Sequence, residues 1–119
     1  MTTEQIANRL AELCRKGEFE TAQKELFAAD ATSTEPFASP DFELVTKGLD
    51  AIIAKGHKFD SMVETTHGVT ISDPLIAGKS FAITLAMDVT MKGKERMTMS
   101  ELCVYQVKEG KIISESFHM

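Results

Sequence analysis

The chain has only two cysteines, Cys14 and Cys103, and no CxxC pair among its 119 residues. That is too few for a disulfide-stapled scaffold, so reduced thiols in a cytoplasmic protein are expected, each acting as a small buried hydrophobe. Positive charge is also short: 13 Lys and Arg against 18 Asp and Glu leave a formal net charge of −5. Nucleic-acid binding relies on clustered Lys and Arg neutralising phosphates, and no basic stripe is present, so no nucleic-acid partner is expected. No apolar run approaches the roughly 20 residues needed to cross a bilayer. The longest, around Phe81 to Met87, stops at Asp88. The opening MTTEQIANRLAELCRKGE is charged and amphipathic and lacks the apolar core of a secretory signal, so neither export nor a membrane partner is expected. A Gly-rich phosphate loop, a GxSxG nucleophile elbow and a cysteine–histidine constellation are missing as well. His57, His67 and His118 lack an HxH, HxxxH or HxxE partner, which leaves zinc or iron without a local ligand pair. Neither a metal nor a cofactor is expected.

What is present is ordinary globular composition, 43% apolar and 26% charged, at a length that fits one core, so residues 1–119 read as a single domain. From Thr2 to Arg15, Ile6, Ala7, Leu10, Leu13 and Cys14 recur at helical steps, with Thr2 and Gln5 spaced as a capping box and Gly17 as the stop. A second helix is predicted over Glu18 to Ala29 on the stripe Phe19, Ala22, Leu26 and Phe27. Thr32 to Pro40 is rich in Thr, Ser and Pro and leaves room for a short strand, Thr32 to Glu35, before a loop. Leu49, Ile52, Ile53, Gly56, Phe59 and Met62 then define a third helix. Gly56 costs it about 1 kcal/mol relative to Ala, which implies a closely packed neighbour or the helix end.

After Met62 the period changes from 3.6 to 2. Four strands are predicted, Val63 to Ser72, Lys79 to Met91, Arg96 to Val107 and Lys111 to Met119, joined by short turns into an antiparallel meander. Phe81, Ile83, Leu85, Met87 and Val89 give the second of these an apolar face. In the third, Met97, Met99, Glu101, Cys103, Tyr105 and Val107 share a face. Ile113, Glu115 and Phe117 join that face if Lys108-Glu109-Gly110 is a three-residue loop, and a one-residue change would move Glu115 to the other side.

Two segments carry a family resemblance. The run Leu26-Phe27-Ala28-Ala29-Asp30-Ala31 with Glu35-Pro36 resembles the helix-end and first-strand signature of the nuclear transport factor 2-like superfamily, which includes ketosteroid isomerases. Tyr105 to Ile113, with Glu115 and Phe117, resembles the closing hairpin of small bacterial SnoaL-like proteins. The resemblance implies an α+β, cystatin-like cone: three N-terminal helices on a curved, mainly antiparallel sheet around a pocket. It places Glu35 where ketosteroid isomerases carry their catalytic aspartate, but Leu10 where they carry the oxyanion-binding tyrosine, and Leu102 or Cys103 where they carry the buried aspartic acid. Steroid isomerisation is not expected without those donors.

The candidates for proton transfer are Glu35, Asp88, Glu101, Glu115 and His67. Glu101 and Glu115 on one apolar face would divide acid and base roles if coupled; either at a solvated rim would be inert. The alternative for Asp88 is a strand-end or edge charge, and for His67, before Gly68, a surface residue at a bulge. Tyr105, Phe117, Cys103 and Phe59 are the candidate ligand contacts, core packing being the alternative for each.

Two functions fit. One is a protein that binds a small, largely apolar molecule in the cone and performs cofactor-independent isomerase, cyclase or dehydratase chemistry on it. The other is a non-catalytic binding or dimeric interaction module. Apolar residues on both sheet faces imply a homodimer through the sheet in either case.

Overall fold

The computed structural model describes residues 1–119. In chain order it comprises α1 (Thr3–Arg15), α2 (Phe19–Leu26), β1 (Phe27–Thr34), β2 (Val45–Lys47), α3 (Leu49–Met62), β3 (Val63–Ile71), β4 (Leu75–Ala77), β5 (Ser80–Met91), β6 (Arg96–Lys108) and β7 (Lys111–His118). The predicted capping box forms: the Gln5 N–H donates to Thr2 Oγ1 at 3.1 Å and the Thr2 N–H to Gln5 Oε1 at 2.9 Å. The helix ends at Gly17, whose φ of 74° is open to glycine at no steric cost. No helix is long and apolar enough to cross a membrane.

The second helix is shorter than its apolar spacing suggests. It stops at Leu26, and β1 begins at Phe27. The sequence Phe-Ala-Ala-Asp-Ala continues a helical pattern, but Phe27 and Ala31 are buried in the core from a strand, where pairing with β7 supplies the backbone partners a last helical turn would have lost. Strand β1 is therefore eight residues long, against a predicted segment of four. β2 and β4, three residues each, have no alternation long enough to read. Gly56 neither ends α3 nor faces a crowded neighbour, since a Cβ built there meets nothing within 4 Å.

The seven strands form one sheet in the order β2-β1-β7-β6-β5-β3, with β4 also on β5. The meander from β3 to β7 is antiparallel as predicted, whereas β1 lies parallel to β7 and so makes the sheet mixed. The inward face of β5 presents Phe81, Ile83 and Leu85 to Ile6, Leu10, Leu13 and Cys14 of α1 and to Ile52 of α3 within one buried cluster. Phe81 stacks on Tyr105 with ring centroids 4.8 Å apart, and Phe27 meets Tyr105 edge-on at 6.5 Å. The layout is an α+β cone, three helices closing one side of a curved sheet and leaving a cavity between them.

Candidate functional site

The cavity has a volume of about 840 Å³ and is bounded by the inner faces of β5, β6 and β7, by α3, and by the segment after β1. Hydrophobic residues make up 18 of the 33 that line it, so the few polar groups that reach it stand out. Glu35, Glu101, Glu115, Tyr105, Phe117, Cys103 and Phe59 all line it. Asp88 and His67 do not. Asp88 sits on the opposite face of β5, between the inward Met87 and Val89, where Arg96 grips it through two bonds of 2.9 and 2.7 Å. His67 is exposed on edge strand β3, its Nε2 2.8 Å from Thr90 Oγ1. Neither side chain reaches the cavity: period-2 alternation already places position 88 opposite to 87, and His67 lies exposed on the edge strand.

Glu115 is only 5% exposed. Its burial follows from register. Glu109 and Gly110 both have positive φ, 53° and 76°, so β6 and β7 are joined by a two-residue turn with Lys108 opposite Lys111, not by the expected three-residue loop. Beyond it, Val107 pairs with Ile112 and Gln106 with Ser114; Ile113 is the extra residue of a bulge. Glu115 thus faces Tyr105, and Phe117 faces Cys103, on the cavity side, while Ile112 replaces Ile113 as the inward isoleucine.

The residue missed from sequence is Lys55. Its Nζ donates to Ser33 Oγ at 2.7 Å and to Glu35 Oε1 at 2.8 Å, and lies 5.5 Å from the centre of the Phe117 ring. A signal existed: Lys55 is three residues after Ile52 and four before Phe59, on the stripe that otherwise carries apolar residues. A lysine there has a buried partner to meet. Ser33, fully buried on β1, lies beside Glu115 in the parallel pair with β7.

These groups set one another's protonation. Burial pushes the Glu115 carboxyl up to about 7, against the Ser33 hydrogen bond and the Lys55 charge, with the Glu35 and Glu101 charges adding to the rise. Glu101 also rises to about 7, chiefly through burial and then through Glu35, with Lys55 opposing. Desolvation, rather than the expected mutual repulsion of Glu101 and Glu115, is therefore the main cause. Burial drives the Cys14 thiol up to about 12 and raises Cys103 and the Tyr105 hydroxyl too, so none of the three supplies an anion near neutral pH. No three His, Cys, Asp or Glu side chains are grouped as metal ligands.

A mixed-sheet cone with a largely apolar, carboxyl-bearing cavity defines the nuclear transport factor 2-like, cystatin-like class of fold, and solved proteins of that description match this chain. The SnoaL-like domain profile matches residues 1–119, and the chain belongs to the SnoaL-like family. It is similar to a Mesorhizobium loti protein provisionally named a SnoaL-like polyketide cyclase, at 34% identity over 100% of both chains and a TM-score of 0.93. A Catenulispora acidiphila protein of ketosteroid isomerase-like fold, solved with trimethylamine, matches over 99% of this chain and 87% of its own, at 23% identity and a TM-score of 0.70. TerC, co-crystallised with polyporic acid, matches over 98% and 90% at 11% identity and a TM-score of 0.77. A search of curated proteins returns no match.

Proposed function

We propose that this SnoaL-like chain, acting as a single cytoplasmic domain over 1–119, binds a small and largely apolar molecule in its cavity. There it carries out cofactor-independent proton transfer of isomerase, cyclase or dehydratase type. The observation that carries this reading is the convergence of Glu101 and Glu115, both raised to about 7, on an apolar cavity that also holds Lys55 and Glu35. A carboxyl group that titrates near neutrality can both take and return a proton at working pH, which is what proton abstraction beside a carbonyl requires. The charge that develops on the carbonyl oxygen then needs a donor. Lys55 has three N–H donors and spends two on Ser33 and Glu35, leaving one for a ligand oxygen. It takes the part that Leu10 and Cys103 cannot play. Small molecules held by TerC and by the Catenulispora protein support a ligand-binding role for the cavity.

The test is solvent-deuterium incorporation into apolar cyclic ketones near pH 7, followed by proton NMR. The chain is expected to catalyse exchange, and Glu115→Gln to reduce it by about a hundredfold, the usual scale for a lost general base. Binding of such compounds without exchange in any of them would favour the non-catalytic module. A homodimer through the sheet fits either outcome. Leu102 is 42% exposed on the outer face of β6, beside the half-buried Val104, and a second copy would cover them. Light scattering of the wild type and of Leu102→Lys tests it, with a shift from dimer to monomer expected.

A further inference from the structure

The polar groups of the cavity are unbalanced in charge. Glu18, Glu20, Glu35, Asp60, Glu101 and Glu115 line it, against Lys55 and His57. Lys55 answers Glu35, and His57 answers Glu20. Glu18 and Asp60 are exposed to water at the mouth. Glu115, the deepest, is hydrogen-bonded to Ser33. Glu101 is the exception. It is half-buried, forms no ion pair, and has for its only side-chain partner the weak donor Cys103 Sγ at 4.0 Å. Apolar side chains surround it: Leu85 lies directly across on β5, and Met87 pairs with Met99 one step along the same face.

A carboxylate in such a place has lost water and gained no cation. An ammonium placed beside it restores that attraction in a medium where it is stronger than in water, whereas a second anion is repelled by Glu101, Glu35 and Glu115 together. We propose that the cavity selects apolar amines in their protonated form, the ammonium seated on Glu101 and the hydrocarbon over Leu85, Met87 and Met99. This rests on the cavity being the ligand site of the proposed function, and it divides the labour there: Glu101 holds the ligand's cation, Lys55 faces its carbonyl oxygen, and Glu115 moves the proton. The substrate class is an apolar amino-carbonyl compound.

Proton linkage follows. An ammonium on Glu101 favours the ionised carboxylate, so binding near pH 7 releases a proton. The charged and titratable groups facing this seat are Glu35 just after β1, Lys55 on α3, Cys103 on β6 and Glu115 on β7. Lys55 alone opposes the amine, and Glu35 already offsets it.

Three probes with one carbon skeleton test the proposal: cyclohexylmethylamine, cyclohexylmethanol and cyclohexanecarboxylate, titrated calorimetrically into the full chain near pH 7 in phosphate and in Tris. The amine is expected to bind at least about tenfold tighter than the alcohol, as befits one charge-assisted contact, and the carboxylate more weakly than either. Its apparent heat should differ between the buffers by the ionisation heat of the released proton. Glu101→Gln should bring amine and alcohol to equal affinity, while Glu101→Asp keeps the preference and shows that the strand tolerates substitution. Equal binding of alcohol or carboxylate by the wild type, an amine preference that survives Glu101→Gln, or no binding by any probe overturns the proposal. Amine selectivity without deuterium exchange in any ketone removes the catalytic reading and leaves this one; exchange without amine preference does the reverse.

Discussion

Glu115 stands directly across the closing hairpin from Tyr105, although the two-residue turn on its own would have set Glu115 opposite Val104 and outside the cavity. The extra residue at Ile113 moves the strand by one position and turns a surface carboxylate into a buried one.

That burial makes stability depend on pH. The folded-state value of Glu115 is raised above its ordinary 4.5 to about 7, so its favourable protonated form is available below about 4.5 in both states and is lost from the folded state as pH rises through 7. Across that window the group withdraws about 3 kcal/mol of stability. Glu115→Gln should therefore gain on the wild type as pH rises from 5 to 8, with the difference levelling off above 8. Urea denaturation at four pH values checks this, and a constant difference would refute it.

Lys55 is the one cation among these carboxyls. Lys55→Met leaves Glu35 without its partner and removes the charge that holds Glu101 and Glu115 down. The variant should lose about 2 kcal/mol near pH 7, because a partly buried pair has been broken from one side. Both carboxyls should titrate at higher pH than in the wild type. Lys55→Arg, which keeps the charge, should recover most of the loss in the same denaturation experiment.

Gly56 offers the opposite sign. It is helical, its φ is not positive, and an added Cβ meets nothing within 4 Å. Gly56→Ala should stabilise the chain by about 0.5–1 kcal/mol through reduced unfolded-state freedom and better helix propensity. A melting temperature that falls would show α3 to be less regular than described.

Asp88→Asn tests the exclusion of the outer face. Its Arg96 partner is well exposed, and exposed pairs contribute little, so stability should change by less than about 1 kcal/mol. Deuterium exchange and amine binding should match the wild type. A loss of either would bring Asp88 back into the site.

Much of the fold was legible because periodicity reports which side of an element is dry. The boundaries of α1 and α3, the four long strands, and the inward face from Phe81 to Val89 all follow from spacing. Two kinds of information were not local. The step from helix to strand at Phe27 is decided by pairing with β7, more than eighty residues later in the chain, and the Glu115 register by a bulge that no residue type at Ile113 announces. The site was legible in the same measure. Glu101 and Glu115 were readable as carboxylates on an apolar face, Glu35 through the family resemblance at Glu35-Pro36, and Lys55 was on view within a helical stripe. Its partners Ser33 and Glu35, about twenty residues earlier, could be joined to it only by the fold.

The most direct measurement is a pH titration of the glutamate side-chain carboxyl carbons by NMR in uniformly ¹³C-labelled protein, with Glu101→Gln and Glu115→Gln for assignment. Two resonances should titrate near pH 7, one vanishing in each variant. If both sites titrate near 4.5, the cavity is wet, neither carboxyl is poised for proton transfer at neutral pH, and the proposed chemistry fails.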